Sequence, residues 1–277
     1  MARTNLQRTL LLILSFAAVA VTAAAVIIAF ATRRPTPAPP APESPAQPAE
    51  TVLFPDVPRN TYDKNQFRYE NGYLTYLNGS VLGVDVSSHQ EQINWQKVKN
   101  AGVDFAIIRA AYRGYTGGGL NVDPWFRANL EGAAAAGLRI GVYVFSQAVS
   151  VEEAREEAQL VLECLDGAPL DLPVFFDWEY VEEQSRTALI TGPEITEFAM
   201  AFCSEIENAG YRAGVYFNVS LGYTALDLSK IKEYDFWLAQ YQDAPDFLLD
   251  FGYLQYTDSG AVPGIHGNVD LNLMFLK

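Results

Sequence analysis

Residues 81–277 are predicted to fold as an α/β domain, an irregular TIM-like (β/α)5(β)3 barrel. Three observations lead there. Short apolar runs recur from Val81 onward, helical patterns with recognisable caps separate the early ones, and after Tyr241 the last runs follow one another with little room for a helix. The result is five strand–helix units and then three nearly bare strands, a departure from the regular eightfold barrel.

Before the barrel the composition changes three times. Residues 10–31 carry no charge, and at ~1.5 Å per residue a helix over them spans ~33 Å, enough for a bilayer core. We read an uncleaved transmembrane signal anchor behind a cytoplasmic N-terminus at 1–9. The rival is a cleavable signal ending near Ala31, whose apolar region would usually run only ~7–15 residues. Arg3 and Arg8 before the segment balance Arg33 and Arg34 after it, so loop charge does not orient it. Nine of the fifteen prolines lie from Pro35 to Pro58, which makes 32–59 a linker reaching at most ~80 Å in polyproline II form. It reads either as a stalk, which suits a domain held outside the cytoplasm at a cell membrane, or as a disordered tether of no set reach. From Phe67 to Ser80 aromatic and polar residues alternate around Asn71-Gly72 and Asn78-Gly79, so 60–80 is predicted to form a β-hairpin packed on the barrel.

The eight barrel runs begin at Val81, Val103, Leu138, Leu172, Arg212, Phe236, Tyr253 and Val269. Asp123 with Pro124, Ser150 with Glu153, and Thr191 with Glu194 start helices between them. Gly102, Gly137 and Gly210, each after an alanine, stop them.

Net charge narrows the function. Beyond Arg34 the chain has 15 basic and 33 acidic residues, a balance of −18, which argues against nucleic-acid binding and against electrostatic capture of an anionic polymer. Any extended substrate must be held by shape. Cys164 and Cys203 have no ligand-spaced partner; we read buried free thiols, with a disulfide as the alternative. No cofactor is expected, and a monomer is.

In a β/α barrel the site lies at the C-terminal strand ends, so acids finishing apolar runs are the residues to inspect. In LPVFFDWE, Asp177 and Glu179 are two apart and leave the same face, ~7 Å apart along the strand, with Trp178 opposite. Asp85 ends the first strand and Asp270 lies in the last, and closure makes those strands neighbours. Four carboxyls would converge, which disfavours ionising all of them and leaves a protonated acid beside an ionised partner. Carboxylate-only ligation of calcium or magnesium is the competing explanation, but no ligand-dense loop accompanies these acids. Tyr143, Tyr216, Trp237, Tyr241, Gln255 and Tyr256 fall on predicted strands, where the aromatic ones would either stack on a bound ligand or fill the core. His89 and His266 fall in loops without a nucleophile near in sequence.

These residues together resemble glycoside hydrolase family 25, the barrel-type lysozymes or N-acetylmuramidases. The resemblance runs from Val81 to Lys277 and rests on GVDVSSHQ with INW, GVYVFS, the DWE strand, AGVYFN, FWLAQY, LQYTDSG and GIHGNVDLN in order. It implies Glu179 as general acid/base, Asp177 assisting the substrate's N-acetyl group, Asp85 and Asp270 completing an acidic floor, and Tyr143, Tyr216 and Gln255 at the site. It also implies peptidoglycan glycan strands as the partner. Two departures stand out: Arg109-Ala110-Ala111-Tyr112-Arg113-Gly114 where many members read Lys-Ala-Thr-Glu-Gly, and Val144 where histidine is frequent. The rival functions are a catalytically silent glycan-binding module and an N-acetylglucosaminidase or chitinase-like hydrolase.

Overall fold

The eight apolar runs become the eight staves of a closed barrel. In the computed structural model, which describes residues 54–181 and 184–276, the strands in chain order are β1 Phe67–Glu70, β2 Tyr73–Tyr76, β3 Ser80–Val86, β4 Phe105–Arg113, β5 Leu120–Val122, β6 Arg139–Ser146, β7 Val174–Trp178, β8 Ala213–Asn218, β9 Asp235–Ala239, β10 Tyr253–Gly260 and β11 Val269–Phe275. Strands β3, β4, β6, β7, β8, β9 and β10 run parallel in that order. The last strand, β11, lies antiparallel between β10 and β3 and closes the ring. Sequence reading assigned the strand but not its reversal. The reason is length: residues 261–268 are too few for a parallel crossover, which takes a dozen or more. β5 was not foreseen; it pairs antiparallel with the end of β4 as a short arm.

Five helical connections follow the first five staves. They are α1 Trp95–Asn100, α2 Phe126–Ala135, α3 Val151–Leu165, α4 Gly192–Asn208, and the pair α5 Val219–Thr224 and α6 Leu228–Ile231. Thr191 and Glu194 form the reciprocal cap expected for α4. At α3 only half of the expected box forms. Ser150 accepts from the Glu153 amide at 3.3 Å, but the Glu153 carboxylate turns to the Val149 amide and to Arg186. Gly102, Gly137 and Gly210 take φ of 95°, 74° and 88° past their helices, the left-handed turn that a Cβ disfavours.

Strand alternation splits the core in two. Phe105, Ile107, Tyr143, Phe175, Tyr216, Trp237, Tyr253 and Met274 point into the barrel. Val84, Ile108, Val144, Phe176 and Trp178 face outward, sharing one apolar layer with Ala158, Phe198, Phe202 and other helix residues. The hairpin forms as expected, with Phe67 opposite Tyr76. Before it, Tyr62 stacks on Phe275 at 4.0 Å and donates to the Phe251 carbonyl at 2.6 Å. Val57 is buried and Arg59 bridges Leu249, so the chain is attached from at least Val57 onward. The expected membrane helix and residues 32–53 of the linker lie outside the described residues. Among the described residues no helix is long and apolar enough to cross a membrane. Cys164 and Cys203 are free and buried.

Glycine on two staves makes room for the phenyl rings inside. A Cβ on Gly83 would stand 2.2 Å from Cζ of Phe105, and one on Gly214 would stand 2.5 Å from Cδ1 of Phe175. Both rings are fully buried and hemmed in by other aromatics. Gly83→Ala should therefore destabilise by about 1–3 kcal/mol through overpacking. Urea denaturation measures this, and an unchanged midpoint would show that the Phe105 ring yields freely.

Candidate active site

At the C-terminal end of the parallel strands lies a cavity of about 210 Å³, lined by Asp85, Tyr143, Phe145, Asp177, Glu179, Tyr216, Trp237, Tyr241, Gln255 and Asp270. The four carboxyls and Tyr143, Tyr216, Trp237 and Gln255, expected at the site from the sequence, are all among them. Asp85 and Asp177 are brought there at the ends of β3 and β7. Asp270 arrives by the opposite route: it is the second residue of β11, and the reversal of that strand carries its beginning to the mouth. It sits in register opposite Asp85. A larger hollow of about 500 Å³, lined by Arg139, Arg212 and Tyr253 among others, holds none of these four carboxyls.

The carboxyls form two contacting pairs. Asp85 and Asp270 lie within hydrogen-bond reach of each other, and so do Asp177 and Glu179. The second contact differs from the ~7 Å strand spacing anticipated. The regular strand ends at Trp178, so Glu179 is free of the pleat and folds back on Asp177.

Gln255 joins the groups. Its Nε2 donates to Asp85 Oδ2 at 2.9 Å and Asp270 Oδ2 at 3.2 Å. Its Oε1 accepts from the hydroxyls of Tyr216 at 3.1 Å and Tyr241 at 2.9 Å. The opposite amide orientation would set oxygen against two carboxyls, so the network itself fixes the assignment. Asn272 adds a second donor to Asp85 Oδ2 at 2.8 Å and accepts from the Trp237 indole at 2.8 Å. Sequence reading missed Asn272. Its signal was present, two residues after Asp270 and hence on the same face of β11.

Burial is the first cause of every carboxyl shift here. Asp177 is pushed well above the ordinary carboxyl range by burial, then by the charges of Glu179 and Asp85, with Arg109 pulling the other way. Glu179, half-buried, is raised by burial, with the neighbouring Asp177 carboxyl and Tyr216 hydroxyl pulling the other way. Asp85 is raised by burial although Asn272, Gln255 and Asp270 all favour its ionised form. Asp270 is pushed up to about 9 by burial and then by Asp85. In each pair the mutual charge and burial favour one proton between the two carboxyls, and in the floor pair they favour it on Asp270. Among the described residues no group of three or more acids, histidines or cysteines is placed to hold a metal ion.

The remaining candidates separate cleanly. Trp237 is 1% exposed, so it floors the cavity and offers little ring surface to a sugar. Tyr241, 51% exposed, stands at the rim. Tyr256 points outward, its hydroxyl accepting from the Leu74 amide of the hairpin at 3.3 Å. His89 and His266 do not line the cavity. Val144 faces the outer layer. Arg109 is tied to Asp123 at 2.8 Å and to Ser88 Oγ at 3.0 Å.

A closed β/α barrel with a contacting carboxyl pair at its mouth, hydroxyls around it and an open cavity above is the equipment of a carboxyl-dependent glycoside hydrolase. Residues 84–265 match the model of glycosyl hydrolases family 25, and the chain belongs to that family. It is 31% identical over 202 residues to the uncharacterized protein YegX of Escherichia coli K12, a match covering 70% of this chain and 69% of that one. It is 29% identical over 191 residues to the autolytic lysozyme of Clostridium acetobutylicum, covering 69% of this chain and 54% of that one. Among solved structures it resembles the modular autolysin LytC from Streptococcus pneumoniae in complex with a synthetic peptidoglycan ligand, with a TM-score of 0.64 and 25% identity over 76% of this chain and 52% of that one. The chain thus spans about half the length of these two autolysins.

The floor pair has a consequence for stability. Asp270 in the unfolded chain would titrate near 4, whereas in the fold it keeps its proton up to about 9. Across that window the native state binds more protons than the unfolded state, so this group's contribution to stability is full at low pH and is lost as pH rises. Asp270→Asn, which mimics the protonated form, should flatten the fall in stability between pH 5 and pH 8. Urea denaturation at both values tests it; an unaltered or steeper slope would show that Asp270 is ionised in the fold.

Proposed function

We propose that this chain hydrolyses the β-1,4 bond between N-acetylmuramic acid and N-acetylglucosamine in peptidoglycan, with net retention assisted by the substrate's own N-acetyl group. The observation that carries this reading is the interacting pair Asp177–Glu179 in the cavity at the end of β7, with Asp177 buried and Glu179 half-buried. Two carboxyls that leave one strand end side by side stand on the same side of the bond to be cut, so one can protonate the leaving oxygen while the other orients a nucleophile carried by the substrate. Asp177, the more deeply buried of the two, suits the N–H of an acetamido group. The autolytic lysozyme among the relatives, and the autolysin solved with a peptidoglycan ligand, support the choice of glycan.

The roles follow from the pair. Glu179, the less buried member, donates to the departing glycosidic oxygen. In the empty cavity burial favours the proton on Asp177. An acetamido N–H bound to Asp177 stabilises its carboxylate and returns the proton to Glu179, so substrate binding arms the acid. The ionised Asp177 then orients the acetamido group, whose carbonyl oxygen attacks the anomeric carbon. Tyr216 and Gln255 hold the pair's surroundings, and Asp85 and Asp270 complete the floor. Tyr143, deep in the barrel with its hydroxyl kept neutral by burial, lines the wall.

For the segment before the domain we propose an anchor at 10–31 and a stalk at 32–59, placing the barrel on the outer side of a cell membrane within reach of the wall. The absence of charge over a bilayer-length run supports it. The full-length protein should stay with membranes through a high-salt wash. Release into the medium with a new N-terminus near Ala31 would instead identify a cleaved signal.

Digestion of purified cell wall, followed by identification of the new reducing-end sugar, tests the reaction. Muramic acid ends are expected; N-acetylglucosamine ends would make the chain a glucosaminidase. Glu179→Gln should lower turnover by ~10²–10⁴ while intact glycan still binds, because glutamine keeps the shape and has no acidic proton. An activated aryl glycoside, whose leaving group hardly needs protonation, should show a much smaller deficit. Equal losses on both substrates would move the acid role to another carboxyl.

A further inference from the structure

Glu179 is the first residue beyond β7, so the ladder that fixes Asp177 no longer holds it. The neighbouring strand supplies a substitute. Ser146, the last residue of β6, pairs with Trp178, and the next residue, Gln147, reaches across with its side chain: Nε2 donates to the Glu179 carbonyl at 2.7 Å. A side-chain amide thus adds one rung where the backbone has stopped pairing.

Gln147 is itself held on every polar atom of that amide and of its own carbonyl. Nε2 also donates to the Ser146 carbonyl at 2.9 Å, and Oε1 accepts from Thr187 Oγ1 at 3.0 Å. Its main-chain carbonyl accepts from Arg186 Nη1 at 3.0 Å. Arg186 in turn pairs with both oxygens of Glu153 on α3, at 2.8 and 2.6 Å. Gln147 and Thr187 are fully buried. None of the three lines the catalytic cavity, yet the chain of bonds ends on the backbone of Glu179.

We propose that Gln147, held by Thr187 and Arg186, is a positioning residue for Glu179, setting where its carboxyl stands relative to Asp177 and the glycosidic oxygen. This rests on Glu179 being the acid. It also explains why the Glu153 carboxylate leaves the helix cap for Arg186: the pair fastens the loop after β7 to the helix after β6, and the loop carries Thr187. A misplacement of ~1 Å in a reacting group can lower a rate by ~10².

The test uses the full chain on purified cell wall, beside a melting temperature for each variant. Gln147→Leu should lower kcat by roughly 10- to 100-fold while KM stays within about twofold, since the groove is untouched. The alkaline limb of its pH profile should move to lower pH. Glu179 is raised by burial, and once released it relaxes towards an ordinary carboxyl. A purely structural role would lower the melting temperature and leave the kcat of the folded fraction and its pH limb in place, which would overturn the proposal.

Thr187 supplies a second arm should Gln147→Leu fail to fold. Thr187→Val keeps the shape and loses the hydroxyl; Thr187→Ser keeps the hydroxyl and loses a buried methyl. Turnover should fall in the valine variant and be restored in the serine variant, even where serine melts lower. Turnover that follows the melting temperature instead of the hydroxyl overturns the proposal. Normal wild-type cleavage, an inactive Glu179→Gln and unimpaired Gln147 and Thr187 variants would remove the clamp alone. A Glu179→Gln protein that cleaves cell wall normally would remove the acid assignment beneath it.

Discussion

Four carboxyl groups crowded at one end of a closed barrel, Asp85 and Asp177 buried and Glu179 and Asp270 partly so, are the constraint on which the remaining architecture depends. Burying an isolated carboxylate costs several kcal/mol or more, so such a cluster persists only where protons and donors are built in around it. Here the donors come from several staves. Tyr216 lies on β8, Gln255 on β10 and Asn272 on β11, and Trp237 on β9 fixes Asn272 from below. A barrel opened at any of these seams would leave an acid without its partner. Closure and chemistry are therefore one requirement.

The reversed final strand answers that requirement with few residues. Eight residues join β10 to β11, enough for a return but not for a helix, so β11 comes back antiparallel and presents its start to the mouth. Asp270 lands opposite Asp85, and Gln255 reaches both. Asn272, one pleat deeper on the same face, reaches Asp85 and the indole beneath. A parallel strand with the same sequence would carry Asp270 to the other end of the barrel.

Within the site, rigidity is graded. The floor acids are fixed by strand register and amide donors. Arg109, whose charge favours the ionised form of Asp177, is bound to Asp123 and Ser88 and so acts on Asp177 without joining it in an ion pair. Glu179, which must meet a moving proton, stands beyond the ladder and depends on side chains from two loops. The cavity accordingly combines a preset electrostatic field with one carboxyl whose place is set from outside the cavity wall.

Much of this was legible in the sequence, for local reasons. Apolar runs of strand length, capped helical patterns and the crowding of the last three strands specify the (β/α)5(β)3 barrel, because each depends only on neighbours along the chain. Alternation in LPVFFDWE sends Asp177 inward and Trp178 outward, and barrel closure alone brings Asp85 towards Asp270. The rest required tertiary structure because it depends on contacts between residues far apart in sequence. The direction of β11, the β5 arm, the four bonds of Gln255 and the loss of the expected box at Glu153 all belong to that class. So does the contact between Asp177 and Glu179: a strand pattern spaces them by its pleat, but the strand stops at Trp178, and the group that decides where Glu179 stands is a glutamine 32 residues earlier. Sequence determined which groups reach the barrel mouth; the meeting of distant loops decided which of them touch, and so which one holds the proton.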